Sequence, residues 1–192
     1  MILIPDNAKA LIFDCDGTLI DSMPLHLEAW KEASKFFDSP FDEELVFSSR
    51  GMKEKDIVEL VNKKYKFKIQ ADDLIKCKHE YFRKNLKMLE PIVPVIEIVH
   101  QYKNKLPMAV VSGGVREIIN AELNHLGIKD LFKIIMTADD PFKAKPSPDL
   151  FLHTAKMLNV EPNDCVVFED GELGIEAAVN AGMMIVDVRK YI

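Results

Sequence analysis

The chain has 192 residues, which is enough for one α/β domain with a small insertion but too few for two large domains. Its composition, with 48% hydrophobic and 29% charged residues, is that of an ordinary globular protein. The formal net charge of −6 repels the phosphates of nucleic acid, and no apolar stretch is long enough to cross a bilayer. The Lys-rich segment 53–68 could form a local basic face, but such a run more often lies on a solvated helix.

The three cysteines show no metal-ligand spacing. Cys15 and Cys165 lie beside apolar runs and are expected to be small buried hydrophobic residues, whereas Cys77 lies in a helical pattern. An odd cysteine count without a visible signal peptide is typical of a reducing compartment. We therefore expect a cytoplasmic monomer that binds neither membranes nor nucleic acid.

The first half of the chain begins with one strand and continues with helical patterns. Residues 9–13 (KALIF) form an apolar run ending in acidic and glycine residues, which predicts a buried strand entering a loop. Apolar residues at helical spacing follow in segments 23–37, 56–64 and 72–89. Because residues 22 to 90 contain no predicted strand, they are expected to form an all-helical insertion.

The second half alternates strands with helices. Strands are predicted at 107–112, 132–137, 165–168 and 184–188, and helices at 115–126, 148–158 and 173–181. Gly127 and Gly182 are expected to follow helix ends, and Ser147-Pro148 is expected to provide the N-cap and first residue of a helix. The pattern predicts an α/β fold: a Rossmann-like parallel sheet with helices on both faces, and a small helical cap inserted after the first strand. The predicted boundaries are 1–21 and 92–192 for the core and 22–91 for the cap.

Polar residues follow the predicted strands at their carboxyl ends, where open α/β sheets bind ligands. Each of these residues alone is more typical of a turn or helix cap than of catalysis. As an ordered set at four strand ends, they predict one shared crevice. The set comprises Asp14, Asp16 and Thr18 after the first strand, Ser112, Gly113 and Gly114 after the second, Lys145 after the third, and Glu169 and Asp170 after the fourth.

The residue types in this set are those that phosphoryl transfer requires. Asp14, Asp16 and Asp170 would concentrate negative charge, and hard carboxylate oxygens without His or Cys favour Mg²⁺. Ser112, followed by two glycines at a predicted helix N-terminus, offers a seat for phosphate. Lys145 supplies a positive charge. Together these groups could position a phosphoryl group and neutralise the charge on its oxygens.

The same residues resemble the four motifs of the haloacid dehalogenase superfamily, over essentially the whole chain. The matching segments are DCDGTLIDS at 14–22, SGG at 112–114, AKPSPD at 144–149 and FEDGELGIEAAVNAG at 168–182. One departure is Ala144, where the family usually has glycine before Lys-Pro. Little effect is expected, because the lysine carries the charge.

The resemblance implies a role for each matching residue. Asp14 would attack phosphorus and form an aspartyl phosphate, while Asp16 would protonate the leaving group and then accept a proton from water. Mg²⁺ would be bound by the Asp14 carboxylate, the Asp16 carbonyl and Asp170, with Glu169 nearby. The phosphoryl group would be held by Ser112 and Lys145, with Thr18, Gly113 and Gly114 also binding substrate. The dehalogenases of the family lack the second aspartate, so Asp16 argues against dehalogenation.

The insertion resembles the small cap of the subgroup that includes β-phosphoglucomutase and sugar phosphatases. His26 and Trp30 lie one helical turn apart, so they share a face and are predicted to contact substrate. The alternative is that Trp30 is a core residue and His26 a hydrogen-bonded neighbour. PMAV at 107–110, CVVFED at 165–170 and VDVR at 186–189 resemble the fructose-1-phosphatase-like members.

Two departures distinguish the chain from the mutases. Mutases follow the motif-two serine with a small residue and Ser-Lys-Asn, whereas this chain has Gly-Gly-Val-Arg at 113–116. Their cap arginine also has no clear match around Arg50–Glu54. We therefore predict a Mg²⁺-dependent phosphatase acting on a small phosphorylated metabolite such as a sugar phosphate. A mutase, or a non-catalytic ligand-binding protein on the same fold, is the alternative.

Overall fold

The computed structural model describes residues 2–49 and 52–192. The chain forms two compact units, one comprising Met1–Asp21 with Glu90–Ile192 and the other Ser22–Leu89. The mutase comparison around Arg50–Glu54 falls partly outside the described residues, because Arg50 and Gly51 are not among them.

The first unit is built on a five-stranded parallel sheet. Its strands follow the order β5-β4-β1-β6-β7, and a separate antiparallel pair joins β2 to β3. The strands are β1 (Ala10–Phe13), β2 (Ile20–Asp21), β3 (Glu90–Pro91), β4 (Met108–Val111), β5 (Ile134–Met136), β6 (Cys165–Glu169) and β7 (Met184–Asp187). The four strands predicted for the second half of the chain are confirmed, each with ends shifted by at most two residues.

Eight α-helices lie within the described residues, four of them in each unit. The helical unit contains α1 (Met23–Phe36), α2 (Glu43–Ser48), α3 (Glu54–Tyr65) and α4 (Ala71–Lys84). The sheet unit contains α5 (Val93–Tyr102), α6 (Arg116–His125), α7 (Asp149–Leu158) and α8 (Glu172–Asn180). None of the helices in the described part of the chain is long and apolar enough to span a bilayer.

The strand order places β1 at the centre of the sheet and explains why helices cover both faces. The chain moves from β1 through β4 to β5 in one direction and then from β5 to β6 and β7 in the other. Right-handed crossovers therefore put α5 and α6 on one face and α7 and α8 on the opposite face. The predicted α/β class is confirmed. Ligands of such sheets bind where the direction reverses, at the carboxyl end of the central strands.

Apolar packing holds α7 and α8 against the sheet. Leu150 and Phe151 of α7 and Ala177 of α8 share one buried cluster with Ile12 of β1 and Val167 of β6. Burying large apolar side chains contributes roughly 1.5–3 kcal/mol each. This rigid support fixes the strand ends that carry the polar residues. Cys15 and Cys165 are both buried, as expected from the sequence.

Several element boundaries differ from the sequence prediction. Helix α5 was not predicted, because its apolar, β-branched start (VPVIEIV) obscures the helical period. Helix α2 was also not predicted, since it has only six residues; the Asp42 side chain caps it by accepting from Leu45 N. Helix α7 begins at Asp149, so Pro148 and not Ser147 is its N-cap.

Candidate active site

The pairing of β1 with β6 brings the first and fourth motifs together. Phe13 lies opposite Phe168 in the parallel ladder, and their rings stack with centroids 4.5 Å apart. The backbone N–H of Asp14 then donates to the carbonyl of Phe168 at 3.0 Å. This register places Asp14, the first residue after β1, beside Glu169 at the end of β6.

Lys145 joins these two acidic residues. Its Nζ lies 2.8 Å from Asp14 Oδ1 and 2.6 Å from Glu169 Oε2, and its side chain is only 11% exposed. Burial alone would lower the pKa of the Lys145 ammonium group, but the charges of Asp14 and Glu169 raise it above its usual value. The residue therefore remains an ammonium ion at neutral pH. The third and fourth motifs thus meet the first at one point.

The acidic cluster fits a divalent cation. Carboxylate oxygens of Asp14, Glu169 and Asp170 lie within 4.8 Å of one another. Burial, followed by the charge of Glu169, raises the pKa of Asp14 well above its usual value, although Lys145 lowers it. When all three carboxylates are ionised, one ammonium group leaves two negative charges, which a cation with two positive charges would balance. Oxygen-only donors of this kind suit Mg²⁺.

Hydrogen bonds distinguish the members of the acidic cluster. Both oxygens of Glu169 are engaged, Oε2 by Lys145 and Oε1 by the backbone N–H of Gly171 at 3.0 Å. Asp170 Oδ1 accepts from the hydroxyl of Thr18 at 2.9 Å. Thr18 is fully buried, so its hydroxyl group orients Asp170. The substrate-binding role expected for Thr18 from its place in the motif stays a prediction.

Two glycines allow this close packing. Gly17 has φ +80°, and a Cβ built on it would lie 2.4 Å from Asp170 Oδ2. A Cβ on Gly174 would lie 1.9 Å from Glu169 Oε2, so α8 can approach Glu169 only with glycine at that position. The glycines of the first and fourth motifs therefore make room for the carboxylates.

The second motif lies at the end of β4 and contacts the first. Ser112 is buried, its backbone N–H donates to Met136 O, and its Oγ accepts from Gly114 N at 3.0 Å. A Cβ on Gly114 would lie 3.3 Å from Asp16 Oδ2, so the Asp16 carboxylate lies against this turn. Around Gly113, no atom of the described chain lies within 4 Å of an added Cβ. Open space beside Gly113 is compatible with the predicted phosphate seat.

Comparisons with known proteins agree with this arrangement. The model of the haloacid dehalogenase-like hydrolases matches residues 11–188. The chain belongs to this family. The resemblance seen in the four motifs is thereby confirmed.

Individual haloacid dehalogenase-like relatives match over most of their length. The fructose-1-phosphate phosphatase YqaB of Escherichia coli (strain K12) is 36% identical over 96% of this chain and 98% of that protein. The phosphorylated carbohydrates phosphatase of Thermotoga maritima is 31% identical over 91% of this chain and 82% of that protein. The solved structure of β-phosphoglucomutase from Clostridium difficile has a TM-score of 0.76 and 30% identity, covering 93% of this chain and 83% of that one.

The helical unit of this family member contains a pocket of its own, with a volume of about 110 Å³. Its lining includes His26, Trp30, Glu54 and Lys78, so the two predicted cap residues do face one cavity. Trp30 also belongs to the buried cluster of the unit, and the His26 ring stacks on Phe82 with centroids 4.3 Å apart. Trp30 thus both packs in the core of the unit and lines the pocket.

A buried ion-pair cluster lies beside this pocket. Lys78 is 2% exposed, and its Nζ lies 2.7 Å from Glu54 Oε1, while His79 Nε2 lies 2.7 Å from Glu54 Oε2. Burial alone would raise the pKa of Glu54, but the hydrogen bond with His79 and the charge of Lys78 lower it to about 2. The Lys78 Nζ also lies 5.6 Å from the Trp30 ring centroid.

Sequence reasoning did not single out Lys78 or Glu122. Lys78 lies four residues after Leu74 and four before Phe82, on the apolar face of a helix. This spacing could have indicated from the sequence that the lysine is buried. Glu122 is fully buried in α6, and its Oε2 accepts from the Cys15 thiol at 3.3 Å. Burial, then the charge of Glu122, raises the pKa of the Cys15 thiol well above its usual value. No sequence pattern predicts this pair, because the two residues are 107 positions apart in the chain.

Proposed function

We propose that this protein is a Mg²⁺-dependent phosphatase that hydrolyses a small phosphorylated metabolite, most suitably a sugar phosphate, through an aspartyl phosphate on Asp14. The observation that carries the proposal is the contact of one buried ammonium group, that of Lys145, with both Asp14 and Glu169 at the carboxyl edge of the sheet. Structural ion pairs of this kind also occur in protein cores, but here Ser112 and Asp170 end the neighbouring strands.

The general class of the enzyme rests on its relatives. The chain belongs to a hydrolase family, and curated relatives at 36% and 31% identity are phosphatases. Family membership and these names confirm the prediction of a phosphoric monoester hydrolase. The roles of the individual residues are proposed.

In the first step, Asp14 attacks phosphorus and the ester oxygen departs. Phosphoryl transfer depends mainly on positioning and on neutralising the phosphoryl oxygens. Lys145 holds the Asp14 carboxylate at 2.8 Å and reduces its repulsion from an incoming phosphate anion. The Ser112 hydroxyl and the backbone N–H of Gly113 bind the phosphoryl oxygens, as backbone donors at helix N-termini do. The backbone N–H of Gly114 donates to Ser112 Oγ and orients that hydroxyl group.

Asp16 serves as the acid and then as the base. It lies two residues beyond the nucleophile, and its carboxylate packs against the Gly114 backbone of the second motif. It donates a proton to the departing alkoxide oxygen, and then accepts a proton from the water that attacks the aspartyl phosphate. Attack by water releases inorganic phosphate and restores the Asp14 carboxylate.

The groups that would hold Mg²⁺ are the carboxylates of Asp14 and Asp170, with Glu169 next to them. The backbone carbonyl of Asp16 would complete the set and leave its carboxylate for acid–base chemistry. When bound, the ion supplies positive charge that neutralises the phosphoryl oxygens and the cluster itself. Thr18 keeps Asp170 oriented, and Glu169 holds Lys145 in place.

The organic part of the substrate is proposed to contact the helical unit, acting as a cap, through His26 and Trp30. Apolar side chains form most of the lining of the small pocket there, and His26, Glu54 and Lys78 contribute polar groups to it. Of the similar phosphatases, one is named for fructose 1-phosphate and another for phosphorylated carbohydrates. The cytoplasmic location and the monomeric state expected from the sequence belong to this proposal as well.

A mutase is the less supported alternative. Arg116 replaces the asparagine expected in the mutase motif, and its guanidinium group donates to Asp140 and to the carbonyl of Ile135. We favour transfer to water over return of the phosphoryl group to the sugar.

Hydrolysis assays test the proposal directly. The purified protein should release phosphate from p-nitrophenyl phosphate with Mg²⁺ and lose this activity in EDTA. Within a panel of phosphorylated metabolites, sugar monophosphates should show the highest kcat/KM. An equal rate in EDTA would contradict the metal requirement. A preference for non-carbohydrate phosphates would contradict the substrate class while leaving the phosphatase assignment intact.

A further inference from the structure

A polar cluster behind the second motif joins two loops of the sheet unit. The motif-two turn, Ser112–Val115, follows β4, and the β5 loop, Thr137–Asp140, follows β5. Arg116, the first residue of α6, lies between them. The cluster lies outside the group of residues to which the proposed function assigns chemistry.

Arg116 contacts the β5 loop through both its backbone and its side chain. Its backbone N–H donates to Asp139 Oδ2 at 2.8 Å, and its Nη1 donates to Ile135 O at 3.0 Å. Its Nη2 pairs with Asp140 Oδ2 at 2.5 Å. A planar guanidinium group bound at two points fixes direction as well as distance.

Asp140 organises the β5 loop around the same point. Its Oδ2 accepts from the backbone N–H of Thr137 at 2.8 Å and from the Thr137 hydroxyl at 3.3 Å, in addition to Arg116. One carboxylate oxygen of Asp140 thus accepts from three donors. The Asp140 side chain therefore bonds the two ends of the β5 loop together and attaches the loop to the start of α6.

The β5 loop is also bonded to the motif-two turn through the backbone. Ala138 N donates to Gly114 O at 2.9 Å, and Ser112 N donates to Met136 O at 3.0 Å. The chain then runs from Asp140 to Lys145 without a helix or strand. The position of Ser112 relative to the segment that carries Lys145 thus depends on these loop contacts.

We propose that Arg116 is a positioning residue for phosphoryl binding: with Asp139 and Asp140 it forms a clasp that fixes the Ser112 turn relative to the Lys145 segment. This inference rests on the proposed function, because it assigns Ser112 and Lys145 to the phosphoryl group. Arg116 itself touches neither residue through the bonds described. The clasp acts by keeping their separation constant, and misplacement by a fraction of an ångström is costly in catalysis.

The ion pair between Arg116 and Asp140 contributes little to stability. The side chains of Arg116 and Asp140 are 42% and 21% exposed, and ion pairs of this kind contribute little to the free energy of unfolding. If Arg116 served stability alone, its substitution would thus change neither phosphate affinity, nor turnover, nor unfolding by much. A positioning residue would affect phosphate affinity and turnover far more than it affects unfolding.

The test compares variants in turnover of p-nitrophenyl phosphate and in inhibition by inorganic phosphate, at a temperature where circular dichroism shows each to be folded. Arg116→Ala should lower kcat/KM and raise the inhibition constant of phosphate, each by ~10-fold or more. Arg116→Lys should recover part of the loss. Asp140→Ala should lose at least as much as Arg116→Ala, because Asp140 also accepts from Thr137. The double variant should lose no more than Asp140→Ala alone, because the two residues act together.

Lys9→Ala is the matched control. Lys9 pairs with Asp164 at 2.6 Å, but both residues precede their strands and so lie at the amino edge of the sheet, opposite the active site. This variant should leave both constants unchanged. Changes below ~3-fold in Arg116→Ala would overturn the clasp. A wild-type protein that neither hydrolyses phosphate esters nor is inhibited by phosphate would overturn the proposed function, and the clasp with it.

Discussion

The Nζ of Lys145 lies 2.8 Å from Oδ1 of Asp14, and the two residues are 131 positions apart in the chain. The contact exists because β1 is the central strand and the segment after β5 returns across its carboxyl end. An acidic nucleophile at this point needs a neighbouring cation to bind a phosphate anion. The lysine is thus expected to contribute to both stability and catalysis.

Replacing Lys145 by methionine should affect both properties. The variant leaves three clustered carboxylates without their ammonium partner, and breaking a buried pair from one side costs about 3 kcal/mol. Urea unfolding in EDTA should therefore show a lower free energy of unfolding, and p-nitrophenyl phosphate turnover should disappear. Added Mg²⁺ should restore part of the stability but not the activity.

The control for that variant is Lys143→Met, two residues away in the same segment and exposed. It should leave stability and turnover near the wild-type values. Equal effects of the two substitutions would show that the segment, and not the Lys145 ammonium group, is responsible.

Asp16→Asn should separate substrates by their leaving groups. Nitrophenolate departs without a proton, whereas a sugar alkoxide requires one, so the sugar phosphate should lose ~10-fold more activity than p-nitrophenyl phosphate. The comparison uses single-turnover kinetics, in which the first transfer step is observed. Equal losses on the two substrates in that step would rule out Asp16 as the acid.

His26→Ala tests the contribution of the helical unit to specificity. If His26 contacts the sugar, kcat/KM for the preferred sugar phosphate should fall by ~10-fold, equivalent to about 1.4 kcal/mol of transition-state binding. p-Nitrophenyl phosphate has no sugar hydroxyl groups, so its turnover should change much less. A similar loss on both compounds would mean that His26, which stacks on Phe82, supports the fold.

The stability of the helical unit should depend on pH through Glu54. Its pKa in the folded protein is about 2, below the usual 4.5, so the carboxylate stabilises the folded state above pH 4.5. That contribution, about 3 kcal/mol at most, is lost as the pH falls from 4.5 towards 2. The difference in free energy of unfolding between wild type and Glu54→Gln should therefore be largest at pH 7 and shrink below pH 4.5.

Asp72 provides the comparison for Glu54. It pairs with Lys55 in the same unit, but the two side chains are 78% and 63% exposed. Asp72→Asn should leave the free energy of unfolding nearly unchanged across the pH range. A difference between wild type and Glu54→Gln that stays constant from pH 7 to pH 3 would refute the depressed pKa.

The strands and motifs of the sheet unit were predictable because they depend on local sequence. Apolar runs mark the strands, and Asp14, Ser112 and Asp170 follow them directly, so sheet topology alone brings them to one edge. Lys145 could be included only through its motif, since it lies nine residues beyond the end of β5.

The remaining features required tertiary information. The engagement of Thr18 with Asp170 depends on the turn at Gly17, and the pairing of Cys15 with Glu122 joins distant elements. Similarly, the partner that neutralises the buried Lys78 is Glu54, which comes from another helix. Local patterns indicate which face of a helix is apolar, but they do not reveal which charged partner will neutralise a lysine on that face.

The most direct test of the central claim is the Mg²⁺-dependent turnover of Asp14→Asn. The amide is nearly isosteric with the carboxylate, so thermal unfolding should show a fold at least as stable as wild type, because one buried negative charge is removed. Without the nucleophile, p-nitrophenyl phosphate turnover should fall by ~1,000-fold or more. Turnover within ~10-fold of wild type, with the substitution verified by mass spectrometry, would contradict nucleophilic catalysis by Asp14.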